Sequence, residues 1–341
     1  MMKQMYSILL LSLICATLGA IIISAGMGYM HISVTDIVAV LWARISGNET
    51  LLVGIDQAIP FVVMDVRLPR ILTATLVGGG LAMSGVVYQG ILLNPLADPY
   101  TLGVSSGAAF GASLALLTNL LLPGYVSVPI FAFVGAMATL FVVLHLSTFN
   151  GQISANTLIL SGVIVGAILS AGISFIKYLA DEQVAVIIFW LMGSFASRSW
   201  LDVGMVAVAV ALGLVITMYY GRDLNIMSLG GRSADSLGVD SARTRKILLI
   251  TASFVTALCV AVSGIIGFIG LIVPHLMRYI VGPDNRKLLP VSVLAGACLL
   301  LMADTVTRAV LPAEVPIGVL TALIGGPFFC VIFRKKQKGG R

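Results

Sequence analysis

The sequence predicts an all-α polytopic membrane protein of about ten transmembrane helices, and three observations predict it. Hydrophobic residues make up 59% of the 341 and the mean hydropathy is +1.08, well above a soluble domain of this length. Apolar runs of about 20 residues recur, each long enough to cross a bilayer as a helix. The charged residues, 10% of the chain, gather between those runs. The largest gathering between apolar runs is 221–246, GRDLNIMSLGGRSADSLGVDSARTRK, where eight of 26 residues are charged. Charges must leave the hydrocarbon, where each costs about 2.5–3.5 kcal/mol. Residues 1–341 read as a single transmembrane domain.

Span 1 covers about 6–28. Its apolar stretch is too long for the h-region of a signal peptide, so it is expected to be retained. Residues 31–69 then lie outside the membrane. Thr35 or Asp36 can cap a short helix there that runs to Arg44, with Trp42 suited to the interface. Span 2 runs over about 70–91 and span 3 over about 100–121. Between them, Asn94-Pro-Leu-Ala-Asp-Pro99 carries two prolines and predicts a stiff turn. Spans 4, 5 and 6 cover about 126–146, 157–177 and 200–219. The apolar piece at 187–195 is too short to span. In 221–246, Leu229-Gly230, Ala234 and Leu237-Gly238 predict one or two short helices separated by glycine, outside the membrane and with a small-residue face. An ordinary solvated loop is the alternative. Span 7 begins near Ile247. Gly264, Gly267, Gly270 and Pro274 predict a broken turn and a short span 8. Span 9 covers about 288–308, span 10 about 316–333, and a basic tail follows.

Ten spans put both termini and the 221–246 segment on one side. That side carries 14 Lys and Arg against 6 on the other, so the positive-inside rule makes it cytoplasmic. The net charge of +6 is therefore a topology signal rather than a nucleic-acid signal. An internal repeat is also visible. A shift of 179 residues lays Ser84-Gly85 on Ser263-Gly264, Pro95 on Pro274, Tyr100 on Tyr279 and Gly103 on Gly282; a shift of 161 lays Pro129 on Pro290 and Gly135-Ala136 on Gly296-Ala297. Spans 2–5 (about 70–180) thus resemble spans 7–10 (about 247–333). Span 2 runs inward and span 7 outward, so the repeat is inverted, a transporter feature.

No lysine is followed by Ser or Thr, so the chain has no Walker A loop of its own. Cys15, Cys259, Cys298 and Cys330 stand singly, and His31, His145 and His275 are isolated, so no metal site is expected. No nucleophile–base pair stands out, which favours a transport subunit over an enzyme. An ion-coupled carrier usually keeps an acid deep in the membrane. Here only Asp304 lies within a span, and Arg308 at i+4 explains it as a helix-end ion pair. Without an internal coupling acid, the energy is expected to come from elsewhere. Gly103-xxx-Gly107-xxx-Gly111 places three glycines on one face of span 3, and Gly162-xxx-Gly166 does the same in span 5, which permits close helix contact. Arg67 and Arg70 suit interface anchoring or the carboxylates of a docking protein.

Taken together, Arg67-Leu-Pro-Arg70, Ser84-Gly85, Asn94-Pro-Leu-Ala-Asp-Pro99, Gly103-Val-Ser-Ser-Gly107, Leu229-Gly230 with Leu237-Gly238, Pro274-His275 with Arg278, Ala303-Asp304 with Arg308, and Glu314-Val-Pro-Ile-Gly318 span nearly the whole chain. The set resembles the permease subunit of type II ABC importers for iron–siderophore, haem and cobalamin, the vitamin-B12 permease family. The resemblance implies an inner-membrane homodimer of ten-span subunits with two cytoplasmic ATPases and an outer binding protein. The ATPases use ATP and Mg; this chain binds no cofactor. It implies docking arginines at Arg67, Arg70 and Arg308, and a cytoplasmic gate at Asn94, Pro95 and Leu96. It also implies ATPase coupling through Leu229, Gly230, Ala234, Leu237 and Gly238. The family's second gate precedes span 5, where Ser154 and Thr157 stand in a differing sequence. An iron chelate is the expected cargo, with cobalamin or haem as the alternative and an ion-coupled secondary carrier as a remote one.

Overall fold

The computed structural model describes residues 2–28, 30–149, 152–309 and 314–339. Among these, eight helices are long and apolar enough to cross a membrane, and two shorter apolar helices, Ile269–Val281 and Ile317–Cys330, lie where spans 8 and 10 are expected. The bundle is built around one of them. Helix α1 is Met2–Gly26 and α2 is Val34–Ser46. Helix α3, Ala58–Phe61, runs through a π-helical turn, Val62–Arg67, into α4, Leu68–Ile91. The rest are α5 Val104–Leu121, α6 Val128–Ser147, α7 Ala155–Ala180, α8 Val184–Leu191, α9 Trp200–Tyr219, α10 Gly221–Met227, α11 Gly231–Ser236, α12 Ser241–Ser263, α13 Ile269–Val281, α14 Asn285–Ala309 and α15 Ile317–Gly339. Two-residue strands β1 and β2, Thr148–Phe149 and Gln152–Ile153, form a small antiparallel hairpin between α6 and α7.

Helix α4 is buried along most of its length and packs on α14, α12, α13 and α9. Small residues allow this crowding. A Cβ on Gly78 would collide with the Gly296 carbonyl of α14, and one on Gly85 with the Gly270 carbonyl of α13. By contrast α1, α6, α7 and α9 leave Leu18, Val134, Leu160 and Leu212 exposed, the outward apolar faces that hydrocarbon covers. The span over 70–91 starts earlier than expected: helix runs from Ala58 through the π-helical turn Val62–Arg67 to Ile91, and Pro69 follows directly on that wider turn. The cap of α2 is Ser33, whose hydroxyl accepts from Asp36 N–H, rather than Thr35 or Asp36.

Helix α13 has 13 residues, about 20 Å at 1.5 Å per residue, too short for a core of about 30 Å. Irregular backbone makes up the rest, and such backbone survives at membrane depth only where protein satisfies it. Three broken pieces satisfy one another here. Ser194 N–H donates to the Ser263 carbonyl at 2.8 Å, Gly318 N–H to the Met192 carbonyl at 3.0 Å, and Ile317 N–H to the Gly193 carbonyl at 3.2 Å. Tyr100 hydroxyl donates to the Ile266 carbonyl at 2.6 Å.

The packing interleaves two halves: α4 lies against α13 and α14, while α12 lies against α5 and α6. That exchange suits an inverted pair of helix sets. The 179-residue register does not hold residue by residue. Pro95 lies in a turn, whereas Pro274 lies inside α13. The glycine faces are also redistributed. Gly107 and Gly111 abut the Gly135 and Phe131 carbonyls of α6, and Gly162 abuts the 101–102 backbone. A Cβ on Gly166 would meet only Ser106 Oγ, at an ordinary 3.6 Å. Gly103 is not on the helical face; it caps α5 in the left-handed region at φ 75°.

Candidate functional site

The polar segment folds as two short helices, as its glycines predict. Gly230 (φ 96°), which opens α11, and Gly238 (φ 85°), which follows it, take conformations that side chains resist. Gly230 therefore breaks the helix, so Gly230, Ala234 and Gly238 do not share one helical face. Ala234 is fully buried against Met227 and Val239. The small-residue contact face expected there is corrected: Ala234 is the segment's internal packing point. What the segment offers outward is Leu229 at 65% and Leu237 at 61% exposure. Asp235, fully exposed, stitches α11 to α12 by accepting from Ser241 N–H at 3.1 Å. The Ser241 side chain and backbone hold its carboxyl below the usual range.

Two contacts fasten α10 to the bundle, and neither was marked by the sequence. Leu224 is buried, and a Cβ on Gly90, near the end of α4, would meet it at 2.9 Å. Asn225 Nδ2 donates to Asp284 Oδ1 at 2.7 Å, while its Oδ1 accepts from Asn285 N–H at 2.8 Å. The segment thus grips the end of α4 and the start of α14 at once.

The chain after α4 is the expected turn. Asn94 Oδ1 accepts from Leu96 N–H at 2.9 Å. Asp98 Oδ1 accepts from Tyr100 N–H at 3.0 Å and Thr101 N–H at 2.9 Å. Leu93 is held at φ 49°, a left-handed conformation costly for a bulky residue. Leu93 and Leu96 are exposed, Asn94 and Pro95 half-buried, and Pro99 rests on Gly270. Ser154 stands before α7 as its N-terminal flanking residue.

At the opposite end, the three arginines are brought together but not outward. Arg67 is 6% exposed. It donates to the Ala25 carbonyl at 2.6 Å and to the Met30 carbonyl. Arg308 donates to the Ser24 and Met27 carbonyls and to Ser24 Oγ. These carbonyls close α1, whose last turn has no helical donors left, so Arg67 and Arg308 act as its cap. Arg70 forks onto Asp304, Nε–Oδ2 3.0 Å and Nη2–Oδ1 2.8 Å, and reaches Glu314 at 2.6 Å. Asp304 is thus chiefly the partner of Arg70 on another helix; Arg308 at i+4 stands 3.6 Å away. The expected exposed arginines are instead a buried lock joining α1, α4 and α14. Only Glu314 among these partners is largely exposed. Among the described residues, no group of three His, Cys, Asp or Glu could hold a metal ion.

The chain is similar to known proteins over most of its length. The chain is 43% identical to the cobalamin import system permease protein of Halobacterium salinarum, over 83% of this chain and 76% of that one. It is 42% identical to the molybdate import system permease protein of Haemophilus influenzae, over 99% and 97%. A solved structure described as an inward-facing metal-chelate type ABC transporter superposes with a TM-score of 0.83 at 37% identity, covering 96% of this chain and 98% of that one. The family model for the FecCD transport family matches residues 14–335, and the chain belongs to that family.

Proposed function

We propose that this chain is the permease subunit of an ATP-driven importer, working as a homodimer with two ATPase subunits and an outer binding protein, in the cytoplasmic membrane. The 221–246 segment and both termini face the cytoplasm, and the arginine end faces out. The observation that carries the reading is the grip of α10. Leu224 packs beneath Gly90 and Asn225 binds Asp284 and Asn285. A pull on the exposed Leu229 and Leu237 is therefore delivered to the end of α4, where the Asn94–Pro95–Leu96 turn begins. Motion made by a partner's ATP and Mg chemistry reaches the gate through packed side chains, a link that needs no nucleotide site in this chain. The buried state of the arginine lock argues that docking on the outer face uses its rim, including Glu314, rather than Arg67.

The cargo proposed is an iron chelate. Relatives are named for cobalamin, molybdate, Fe(3+)-citrate and hemin, so overall identity does not sort cargo. Uptake into vesicles containing the assembled transporter, with ferric siderophore, haem, cobalamin and molybdate in parallel, decides it; uptake of none of them with ATP present would remove the importer reading. Asn225→Ala is expected to leave ATP hydrolysis running while uptake falls. Coupled uptake at the wild-type level would show that α10 does not transmit the motion. A cysteine at Ser236, in a background lacking the four native cysteines, is expected to need a membrane-permeant reagent; labelling of intact cells by an impermeant one reverses the orientation.

A further inference from the structure

The end of the bundle that carries α10 and α11 also holds a cavity that the transport reading leaves unused. It has a volume of about 660 Å³ and lies between the end of α6 and the start of α12. Three basic side chains line it: His145 from the last turn of α6, and Arg243 and Lys246, three apart on one face of α12. All three are exposed. Among the described residues none of them forms an ion pair. The one acid at the rim, Asp240, caps α12, its Oδ1 accepting from the Arg243 backbone N–H at 2.9 Å, and stands as one negative charge among the three basic side chains. Arg245 is not part of the lining; it donates to the carbonyl of Ile153, a lining residue, which pins the β-hairpin against α12.

The opposite wall is apolar. Phe141 and Leu144 close it, and Phe141 is 54% exposed. Phe141 also ends a stripe. Ile130, Val134, Phe141 and His145 recur at helical spacing on one face of α6, and the three apolar ones are all more than half exposed. From Ile130 to Phe141 the stripe runs about 16 Å, close to the half-thickness of a hydrocarbon core of about 30 Å. An apolar track one leaflet long therefore leads into a cluster of basic side chains that form no ion pair among the described residues.

We propose that this cavity binds an anionic phospholipid. Arg243 and Lys246 hold the phosphate, His145 stands beside it, and an acyl chain lies along Ile130, Val134 and Phe141. The guanidinium and ammonium supply the charge-assisted donors a phosphate accepts, and basic pockets at the cytoplasmic ends of spans are where such headgroups collect. A free phosphate would use the cations and leave the stripe without purpose. An acidic protein surface would do the same, since nothing in it reaches toward the membrane centre.

The test uses the full-length permease purified in detergent and native mass spectrometry with dioleoyl phosphatidylglycerol or dioleoyl phosphatidylcholine. Phosphatidylglycerol is expected to be retained in preference to phosphatidylcholine. In Arg243→Gln/Lys246→Gln its retention is expected to fall about tenfold, with phosphatidylcholine unchanged. Phe141→Ala keeps the charges and is expected to weaken dioleoyl but not dihexanoyl phosphatidylglycerol. Undiminished phosphatidylglycerol retention by the double variant overturns the proposal. So does displacement by inorganic phosphate at equal concentration, which would make the cavity a free-anion site. A double variant that loses a co-expressed ATPase subunit while keeping phosphatidylglycerol would make the cluster a protein contact and overturn it as well. Both substituted residues are exposed; if the double variant nonetheless fails to fold, Lys246→Gln alone carries the same comparison.

Discussion

Arg67, Arg70 and Arg308 at one end of the bundle and Arg222, Arg232 and Arg243 at the other are the same side chain in opposite circumstances. The first three are buried or nearly so and spend their donors on carbonyls closing α1 and on Asp304. The second three are exposed beside short helices held by glycine caps. Charge alone does not distinguish these roles. Where a backbone end lies within reach, a buried guanidinium becomes part of the fold; where none does, it remains surface. The comparison teaches that stability is concentrated at the arginine end and adaptability at the coupling end.

The sharpest way to break this comparison is Asp304→Asn. It leaves the half-exposed Glu314 as the carboxylate of Arg70 and a neutral amide in the buried position; breaking a buried pair typically costs about 3–5 kcal/mol, and the remaining Glu314 contact puts the expected loss at the lower end. The variant is expected to lose monodispersity on size-exclusion chromatography after a heat step that wild type survives. Wild-type behaviour would mean the lock is dispensable. Next is Arg67→Ala against Arg232→Ala. Removing charged hydrogen bonds to the carbonyls near the end of α1 is expected to cost about 2–3 kcal/mol, while the exposed Arg232 change stays within about 0.5 kcal/mol. Equal loss in thermal unfolding would erase the difference between the two ends.

The third test works within the coupling segment. Ala234→Trp overpacks a buried site, with a typical cost of about 1–3 kcal/mol, so α11 itself is expected to loosen, seen as faster hydrogen exchange at 231–239. Leu237→Ser is expected to leave exchange unchanged and to reduce co-purification of the ATPase subunit. If Ala234→Trp leaves exchange untouched while releasing the ATPase, the contact face is the small-residue one after all. The smallest effect is a pH dependence. The folded-state carboxyl of Asp235 is held below its unfolded value by Ser241, so its contribution is present above the unfolded value, about 4, and is lost as pH falls through the lower folded one. Exchange at 235–241 is expected to rise on acidification below about pH 4, and Asp235→Asn to remove that step. An identical acid response in the variant would assign it to another group.

Much of the fold was legible because hydrocarbon imposes a one-dimensional rule. A run of about 20 apolar residues must be a helix, and a dense group of charges must lie outside. The ten spans, the polar segment with its glycine-separated helices, and the proline-bounded turn after α4 all follow from that. The motif set pointed to the family for the same reason, since its residues stand in order along the chain. Within one helix, spacing also fixes neighbours, which is why Arg308 was set beside Asp304.

Tertiary structure alone decided who meets whom across helices. Arg70 and Asp304 are 234 residues apart, Leu224 lies under Gly90, and Asn225 binds Asp284. Helical periodicity says which residues share a face but not which helix that face will touch. For the same reason spacing alone predicts a packing stripe at Gly103, which is a cap, and a contact face at Ala234, which is buried core. The shift register of the repeat failed similarly, since Pro95 can sit in a turn and Pro274 inside a helix when the surrounding packing, rather than the residue, sets the local path. Hydrophobicity is a property of the chain against its solvent, and the sequence carries it whole. Burial of a charge depends on what stands across the interface, and that is settled only when the helices close on one another.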